Sequence, residues 1–93
     1  MEISKVGVVG CGFMGSGIAQ VSAQAGYQVV ALDVNDAALY KGLSSINHSL
    51  TRAVEKGEIT QGDKDATMSR IKGTTESKDL RNCDLIIEAV PED

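Results

Sequence analysis

The sequence contains few aromatic residues and no long apolar segment. It contains no tryptophan, one proline and three aromatic side chains among 93 residues, so valine, isoleucine, leucine and alanine must supply most of the core. No apolar run approaches the ~18 residues of a transmembrane helix, and the first ten residues lack the basic start of a secretory signal. We therefore predict neither a signal peptide nor a membrane partner.

Positive charge and cysteine are also scarce. Nine Lys and Arg against thirteen Asp and Glu leave a net charge of −4, the opposite of what a nucleic-acid binder needs. Cys11 and Cys83 offer no metal-binding spacing and no disulfide framework. They are expected to be reduced thiols that fill space in a cytoplasmic protein. We expect no nucleic-acid partner and no metal.

Glycine, in contrast, is concentrated near the start of the chain. The stretch VGVVGCGFMGSGIAQ, residues 6–20, holds five of the ten glycines. A nearly continuous apolar run, 3–9, overlaps its start and predicts a strand buried on both faces. The glycines then lead into a helical pattern that Gly26 would end. QVVALD, residues 28–33, predicts a second strand. Strand, helix and strand within about 30 residues make a βαβ unit.

The glycine spacing within this unit fits a pyrophosphate-binding turn. Gly10 would permit the turn, Gly12 would clear the approach to the helix N-terminus, and Gly15 would let helix and strand pack closely. The pattern follows a strand, opens a helix and has Asp33 at the end of the next strand, which together favour a dinucleotide site. A glycine-rich turn without a ligand is the alternative. A kinase-type loop would need a lysine in QVVALD, which has none.

Asp33 bears on the choice of cofactor. Its carboxylate can accept hydrogen bonds from both ribose hydroxyls of an adenosine, whereas a 2′-phosphate about 4 Å away would cost on the order of 4 kcal/mol. The next residues, Val34 and Asn35, supply no arginine to offset that repulsion. NAD is therefore predicted over NADP. The alternative is that Asp33 merely ends a strand or caps a helix.

The remainder of the chain predicts a helical pair and two more strands. A long helix is expected from an Asn35 or Asp36 cap to Lys56, before Gly57; its apolar stripe comprises Leu39, Leu43, Ile46, Leu50 and Ala53 or Val54. Thr60 and Asp63 predict a capping box for a second helix that ends near Ile71. Short strands are predicted at 72–75 and 85–90. The fold class is α/β, a Rossmann-type parallel sheet of about four strands with a helical hairpin after the second strand.

The predicted last strand has nothing after it to cover its outer edge. An open edge with apolar faces is a liability for a complete domain. We therefore expect residues 1–93 to be the N-terminal part of an NAD-binding domain, with the rest of that domain and a C-terminal helical domain absent. An uncovered edge also favours a homo-oligomer or a domain-swapped dimer.

Three segments carry a family resemblance over essentially the whole chain. GCGFMGSGIAQVSAQAGYQVVALD, SLTRAVEKGEIT and DLIIEAVPED resemble the N-terminal domain of 3-hydroxyacyl-CoA dehydrogenases, in particular the bacterial 3-hydroxybutyryl-CoA branch. The resemblance implies an oxidoreductase that uses NAD to interconvert an L-3-hydroxyacyl-CoA and a 3-ketoacyl-CoA in fatty-acid or butanoate metabolism. The coenzyme A thioester would be its partner molecule.

The resemblance also assigns residues. It implies a pyrophosphate loop at Gly10, Gly12, Phe13, Met14 and Gly15, a ribose carboxylate at Asp33, and a turn beside the nicotinamide half of the cofactor at Ala89, Val90 and Glu92. It implies coenzyme A contacts at Ser49 and Lys56. The family's catalytic histidine would lie beyond residue 93, so no catalytic residue is expected here and the chain alone is expected to be inactive.

Alternatives to these assignments remain open at this level. Lys41, Ser45, Ser49, Arg52 and Lys56 form one polar stripe, which without the resemblance would be a solvated face. Glu92 would be a solvated residue, and His48 is interpreted as an exposed helix residue. The chain could instead be a non-catalytic NAD-binding module with a redox-sensing or scaffold role. A 6-phosphogluconate or 3-hydroxyisobutyrate type of dehydrogenase fits the EKGEIT segment and the Asp33 turn less well.

Overall fold

The computed structural model describes residues 2–89 and contains one parallel sheet in the order β3-β2-β1-β4. The strands are β1 (Lys5–Val9), β2 (Gln28–Leu32), β3 (Ile71–Thr74) and β4 (Leu85–Glu88). Helix α1 (Phe13–Gln24) joins β1 to β2, and the pair α2 (Asp36–Glu55) and α3 (Gln61–Ser69) joins β2 to β3. A 3₁₀ helix at Ser77–Leu80 precedes β4. The predicted Rossmann-type sheet with a helical hairpin after its second strand is confirmed.

Strand β1 lies at the centre of the sheet. Its Val6 pairs with Val29 of β2 on one side and with Leu85 of β4 on the other. Val6 and Val8 are buried, as an apolar run in a parallel sheet requires. Because β1 ends between its two neighbours, the turn that follows it opens at the carboxyl ends of three strands. This edge is where ligands of open α/β sheets bind.

Helix α2 forms as its sequence pattern predicts. The side chain of Asn35 accepts a hydrogen bond from the Ala38 N–H at 2.8 Å, so Asn35 is the N-cap. Ile46 and Leu50, in the apolar stripe, are fully buried against the sheet and α1. Gly57 follows the helix with φ +74°, which is the usual way for a helix to end.

The capping box of α3 is confirmed, and its end shows a small correction. Thr60 and Asp63 exchange two hydrogen bonds of 3.0 Å, each side chain accepting from the other's N–H. The helix ends at Ser69 rather than near Ile71, because Ile71 already pairs with Val29 in β3. The third strand accordingly spans 71–74 instead of 72–75.

The last strand is an edge strand in the part of the chain that the structure describes. β4 ends at Glu88, and Val90, to which the prediction extended it, lies outside the described residues. Leu85 and Ile86 are 43% and 48% exposed. This exposed apolar edge fits the expected association of copies, which stays a prediction.

Two features are absent between Glu2 and Ala89. No helix in this range combines the length and apolar character needed to cross a membrane. No group of three or more His, Cys, Asp or Glu side chains in this range is placed to hold a metal ion.

The start of β1 is held to the start of β4 by one carboxylate. Asp84 accepts hydrogen bonds from the N–H groups of Ser4 and Lys5 at 2.9 and 3.0 Å and from the Ser4 hydroxyl at 3.2 Å. These bonds, together with the nearby Lys5 ammonium, lower the pKa of Asp84 below its ordinary value of 3.8. Ionised Asp84 therefore favours the folded state.

We expect Asp84→Asn to lower the thermal unfolding midpoint at neutral pH. Because the folded-state pKa is depressed, the stabilisation is present above pH 3.8 and is lost as the pH falls through the lower folded value. The difference in unfolding midpoint between wild type and variant should therefore become smaller when thermal denaturation is followed from pH 7 toward pH 2. Asp65→Asn is the control: it alters an exposed carboxylate that, among residues 2–89, accepts a side-chain hydrogen bond from Gln61 alone. A difference that stays constant on acidification would contradict this account.

Candidate functional site

The turn after β1 has the sharp geometry predicted for it. Gly10 adopts φ +99°, a conformation that side chains disfavour. Its N–H donates to the carbonyl of Leu32 at 2.7 Å, which fixes the turn against the end of β2. The chain then passes directly into α1 at Phe13.

Helix α1 packs against this turn without space for a side chain. A Cβ on Gly15 would lie 1.6 Å from the Gly10 carbonyl oxygen, which no rearrangement of a side chain could relieve. The same position would be 3.6 Å from the Cβ of Ala89, whose N–H donates to the Val9 carbonyl at 2.8 Å. The structure thus brings Gly10, Gly15 and Ala89 together.

The N-terminus of α1 is open. Gly12 is its N-cap and supplies no side-chain hydrogen bond, so within residues 2–89 the first-turn N–H groups have no capping partner. A Cβ on Gly12 would have no neighbour within 4 Å, while Phe13 and Met14 are 99% and 66% exposed. The helix dipole and these N–H groups favour an anion at this end.

Asp33 is attached to the glycine turn. Its carboxylate accepts the Cys11 N–H at 2.7 Å on Oδ2 and the Val34 N–H at 2.6 Å on Oδ1. A carboxylate oxygen can accept two hydrogen bonds, so each oxygen keeps acceptor capacity for a ligand hydroxyl. The bond to Cys11 was not predicted from the sequence, and it holds the acid beside the turn.

Cys11 is a buried filler, as expected. Burial first, and the Asp33 carboxylate second, raise the pKa of its thiol to about 11. The thiol is therefore protonated near neutral pH and is a poor nucleophile. Cys83 is half-buried, and burial likewise raises its pKa.

The polar stripe of α2 lines a groove of about 610 Å³ beside α1. Both residues assigned to coenzyme A, Ser49 and Lys56, are in its wall. Its lining residues are Gln20, Gln24, Ser45, His48, Ser49, Arg52, Ala53, Lys56, Glu58 and Ile59. Of these lining residues, Arg52 and Lys56 are basic and Glu58 is acidic, which gives the groove a net positive charge.

A second hollow connects this groove to the glycine turn. It measures about 320 Å³ and lies between the turn and α2, with Gly12, Phe13, Asp33, Lys41 and Ser45 in its wall. Ser45 lines both hollows, so they adjoin along α2. Gly12, Phe13 and Asp33, which are assigned to the dinucleotide, therefore line a hollow next to the groove that holds Ser49 and Lys56.

Several residues of this surface were not singled out as site residues from the sequence. Gly42 brings α2 against the turn, since a Cβ there would lie 2.3 Å from the Cys11 carbonyl oxygen. A glycine inside an otherwise good helix indicates such a close approach without naming the partner. His48 is exposed as predicted but lines the groove, and Gln20 bonds to Ser49. Of the predicted cofactor contacts, Val90 and Glu92 lie outside the described residues.

Comparison with known proteins decides the family. Residues 5–93 match the family model described as 3-hydroxyacyl-CoA dehydrogenase, NAD binding domain. The chain belongs to this family. The predicted resemblance and the predicted cofactor, NAD, are thereby confirmed.

Individual dehydrogenases of this family are similar over nearly the whole chain. The 3-hydroxybutyryl-CoA dehydrogenase of Mycobacterium tuberculosis strain H37Rv is 45% identical over 91 residues, 98% of this chain and 32% of its own length. The crystal structure of (S)-3-hydroxybutyryl-CoA dehydrogenase PaaH1 from Ralstonia eutropha superposes with a TM-score of 0.96 at 44% identity, over 99% of this chain and 32% of that one. The M. tuberculosis FadB2 structure gives 0.97 at 44% identity, over 100% and 33%. The chain thus spans about a third of the length of these relatives.

Proposed function

We propose that this chain supplies the NAD-binding part of an oxidoreductase that interconverts an L-3-hydroxyacyl-CoA, in particular 3-hydroxybutyryl-CoA, and the corresponding 3-ketoacyl-CoA. One observation carries the proposal: the open N-terminus of α1, with Asp33 attached beside it, adjoins a positively charged groove along α2. A dinucleotide and a phosphate-bearing thioester can therefore bind side by side. The named relatives are dehydrogenases for such thioesters.

The glycine turn would hold the pyrophosphate of NAD. The backbone at Gly10, Gly12, Phe13, Met14 and Gly15 surrounds the open end of α1, where charge-assisted hydrogen bonds to phosphate oxygens are strong. When bound, NAD supplies the hydride acceptor of the reaction.

The two ends of the dinucleotide are assigned to different elements. Asp33 would accept the adenosine ribose hydroxyls and repel a 2′-phosphate. Ala89 abuts the turn, and with Val90 and Glu92 it is assigned to the nicotinamide half on the family pattern.

The groove along α2 would hold coenzyme A. Ser49 and Lys56 lie in its wall, where a hydroxyl and an ammonium are matched to phosphate oxygens. Arg52 and His48 line the same wall and add to its affinity for an anion.

The catalytic step belongs to the part of the protein that this chain does not include. We propose that residues 1–93 form the N-terminal part of the NAD-binding domain, followed in the complete protein by the rest of that domain and a helical domain. The catalytic histidine would lie there, so the isolated chain would bind NAD without turnover.

We propose that the enzyme acts in the cytoplasm, in fatty-acid or butanoate metabolism, as a homo-oligomer or domain-swapped dimer. The alternative of a complete, non-catalytic NAD-binding module receives no support, because the named relatives are dehydrogenases.

We expect the complete protein that carries this chain to reduce NAD with 3-hydroxybutyryl-CoA, and the isolated chain to show no turnover, when NADH absorbance is followed. Lys56→Ala should raise KM for the thioester about tenfold, because one charge-assisted contact at a half-open site is worth about 1.4 kcal/mol. kcat and the KM for NAD should be unchanged. Lys78→Ala, at an exposed lysine of the 3₁₀ helix, is the matched control.

Two results would count against the proposal. Turnover by the isolated chain would show that catalysis does not depend on the missing part. Failure of the complete protein to oxidise any 3-hydroxyacyl-CoA, with NAD bound, would reject the reaction itself.

A further inference from the structure

A side chain of α1 contacts the groove's serine across the two helices. The Gln20 amide Nε2 donates a hydrogen bond to Ser49 Oγ at 3.1 Å. Gln20 lies in α1, the helix whose N-terminus is assigned to the dinucleotide, and its side chain reaches the residue assigned to coenzyme A. Both side chains line the 610 Å³ groove.

This bond determines whether the Ser49 hydroxyl is available to a ligand as a hydrogen-bond donor. A hydroxyl has one proton to donate and two lone pairs that accept. The Gln20 amide uses a lone pair, and within residues 2–89 the Ser49 hydroxyl donates no hydrogen bond to the protein. Its proton is thus left for an acceptor that enters the groove.

The groove favours a ligand that offers acceptors. Arg52 and Lys56 follow Ser49 at the spacing that places side chains on one helix face, and both line the groove with a single carboxylate, Glu58. An anionic group such as a phosphate presents only oxygen atoms that accept hydrogen bonds. Ser49 can bind such a group only if its hydroxyl donates.

We propose that Gln20 is a positioning residue for coenzyme A binding: it holds the Ser49 hydroxyl with its proton directed into the groove. The inference rests on the proposed function, because it concerns the same substrate groove. Gln20 need not contact the substrate, and its effect passes through Ser49.

The test compares four variants of the complete protein that carries this chain. Gln20→Met removes the amide and keeps the length of the side chain. Gln28→Met makes the same change at an exposed residue of β2 that lines neither hollow. Ser49→Ala and the double variant Gln20→Met with Ser49→Ala complete a double-mutant cycle. The readouts are KM and kcat with 3-hydroxybutyryl-CoA, the KM for NAD, and calorimetric titration with free coenzyme A.

Gln20→Met should raise the thioester KM and the coenzyme A Kd about fivefold, the expected effect of one neutral hydrogen bond. kcat and the KM for NAD should stay the same, and Gln28→Met should change each constant less than about twofold. In the Ser49→Ala background, Gln20→Met should have no further effect, because the residue through which it acts is absent.

Gln20→Glu separates a positioning role from a merely structural one when it is compared with Gln24→Glu, which adds the same negative charge to the same groove without a hydrogen bond to Ser49. A carboxylate at this position can still form a hydrogen bond to Ser49, but only as the acceptor, so the hydroxyl proton would turn away from the groove. The inter-helix bond and the unfolding midpoint should be kept in Gln20→Glu, while the coenzyme A Kd should rise more than it does in Gln24→Glu.

Three outcomes would overturn the inference while the proposed function stands: an unchanged KM in Gln20→Met, the same increase in the Ser49→Ala background, or a coenzyme A Kd that rises no more in Gln20→Glu than in Gln24→Glu. An effect on kcat or on the KM for NAD alone would overturn it as well. If the wild-type protein bound NAD but neither coenzyme A nor its thioester, the proposed function would fail and the inference with it.

Discussion

Gly12→Ala is expected to lower the affinity for NAD about 100-fold or more while leaving the fold unchanged. A Cβ at this position meets no atom of the described residues within 4 Å, and the backbone there, φ −73° and ψ −163°, is extended and open to alanine. The methyl group would instead occupy the space in front of the α1 N-terminus. Losing about two charge-assisted contacts to the pyrophosphate accounts for that magnitude.

Gly17→Ala provides the matched control for Gly12→Ala. Gly17 lies in the same helix and is exposed, and a Cβ there would likewise have no neighbour within 4 Å. Alanine at this position should stabilise the protein by about 1 kcal/mol through helix propensity and leave NAD affinity unaltered. Calorimetric titration of the complete protein with NAD, beside thermal denaturation, measures both effects. Full NAD affinity in a folded Gly12→Ala variant would disprove the pyrophosphate assignment.

Gly42→Ala is expected to destabilise the fold by about 3 kcal/mol. Its Cβ would lie 2.3 Å from the carbonyl oxygen and 2.6 Å from the Cβ of Cys11, and neither atom can move away by changing a rotamer. Helix α2 and the glycine turn would have to separate. The expected loss of stability is therefore at the upper end of the usual cost of overpacking a core. In a domain of this size the unfolding midpoint should fall by about 12 °C or more.

Gly62→Ala controls for the helix propensity of alanine in the Gly42→Ala experiment. Gly62 lies in the first turn of α3, and a Cβ there would be 3.6 Å from Thr60 Oγ1, an ordinary contact. Thermal denaturation should show it unchanged or up to about 1 kcal/mol more stable. If Gly42→Ala behaved in the same way, α2 would not pack on the turn as the structure shows.

The elements of this fold that depend on local chemistry could be predicted from the sequence. Asn35 caps α2, Thr60 and Asp63 cap α3, and Gly57 follows α2, because each signal acts within a few residues. The order β1, α1, β2 followed from apolar runs on either side of a glycine turn. The same local reasoning placed Asp33 beside that turn, since parallel strands end at one edge.

The features that escaped prediction depend on residues distant in sequence. The Cys11 N–H bond to Asp33, the contact of Gly42 with Cys11 and the bond from Gln20 to Ser49 join positions at least 22 residues apart, and no periodicity encodes them. The 3₁₀ helix at Ser77–Leu80 is too short to show a repeat. It is held by a hydrogen bond from the Thr74 hydroxyl to the Asp79 carboxylate.

The central place of β1 has a consequence for how the molecule is made. Val6 pairs with Val29, which is synthesised soon after it, but also with Leu85, near the far end of the chain. During translation, one edge of β1 stays unpaired until β4 has left the ribosome. The pairing of β1 is therefore completed by a strand distant in sequence, which slows folding and leaves an aggregation-prone backbone edge exposed in the nascent chain.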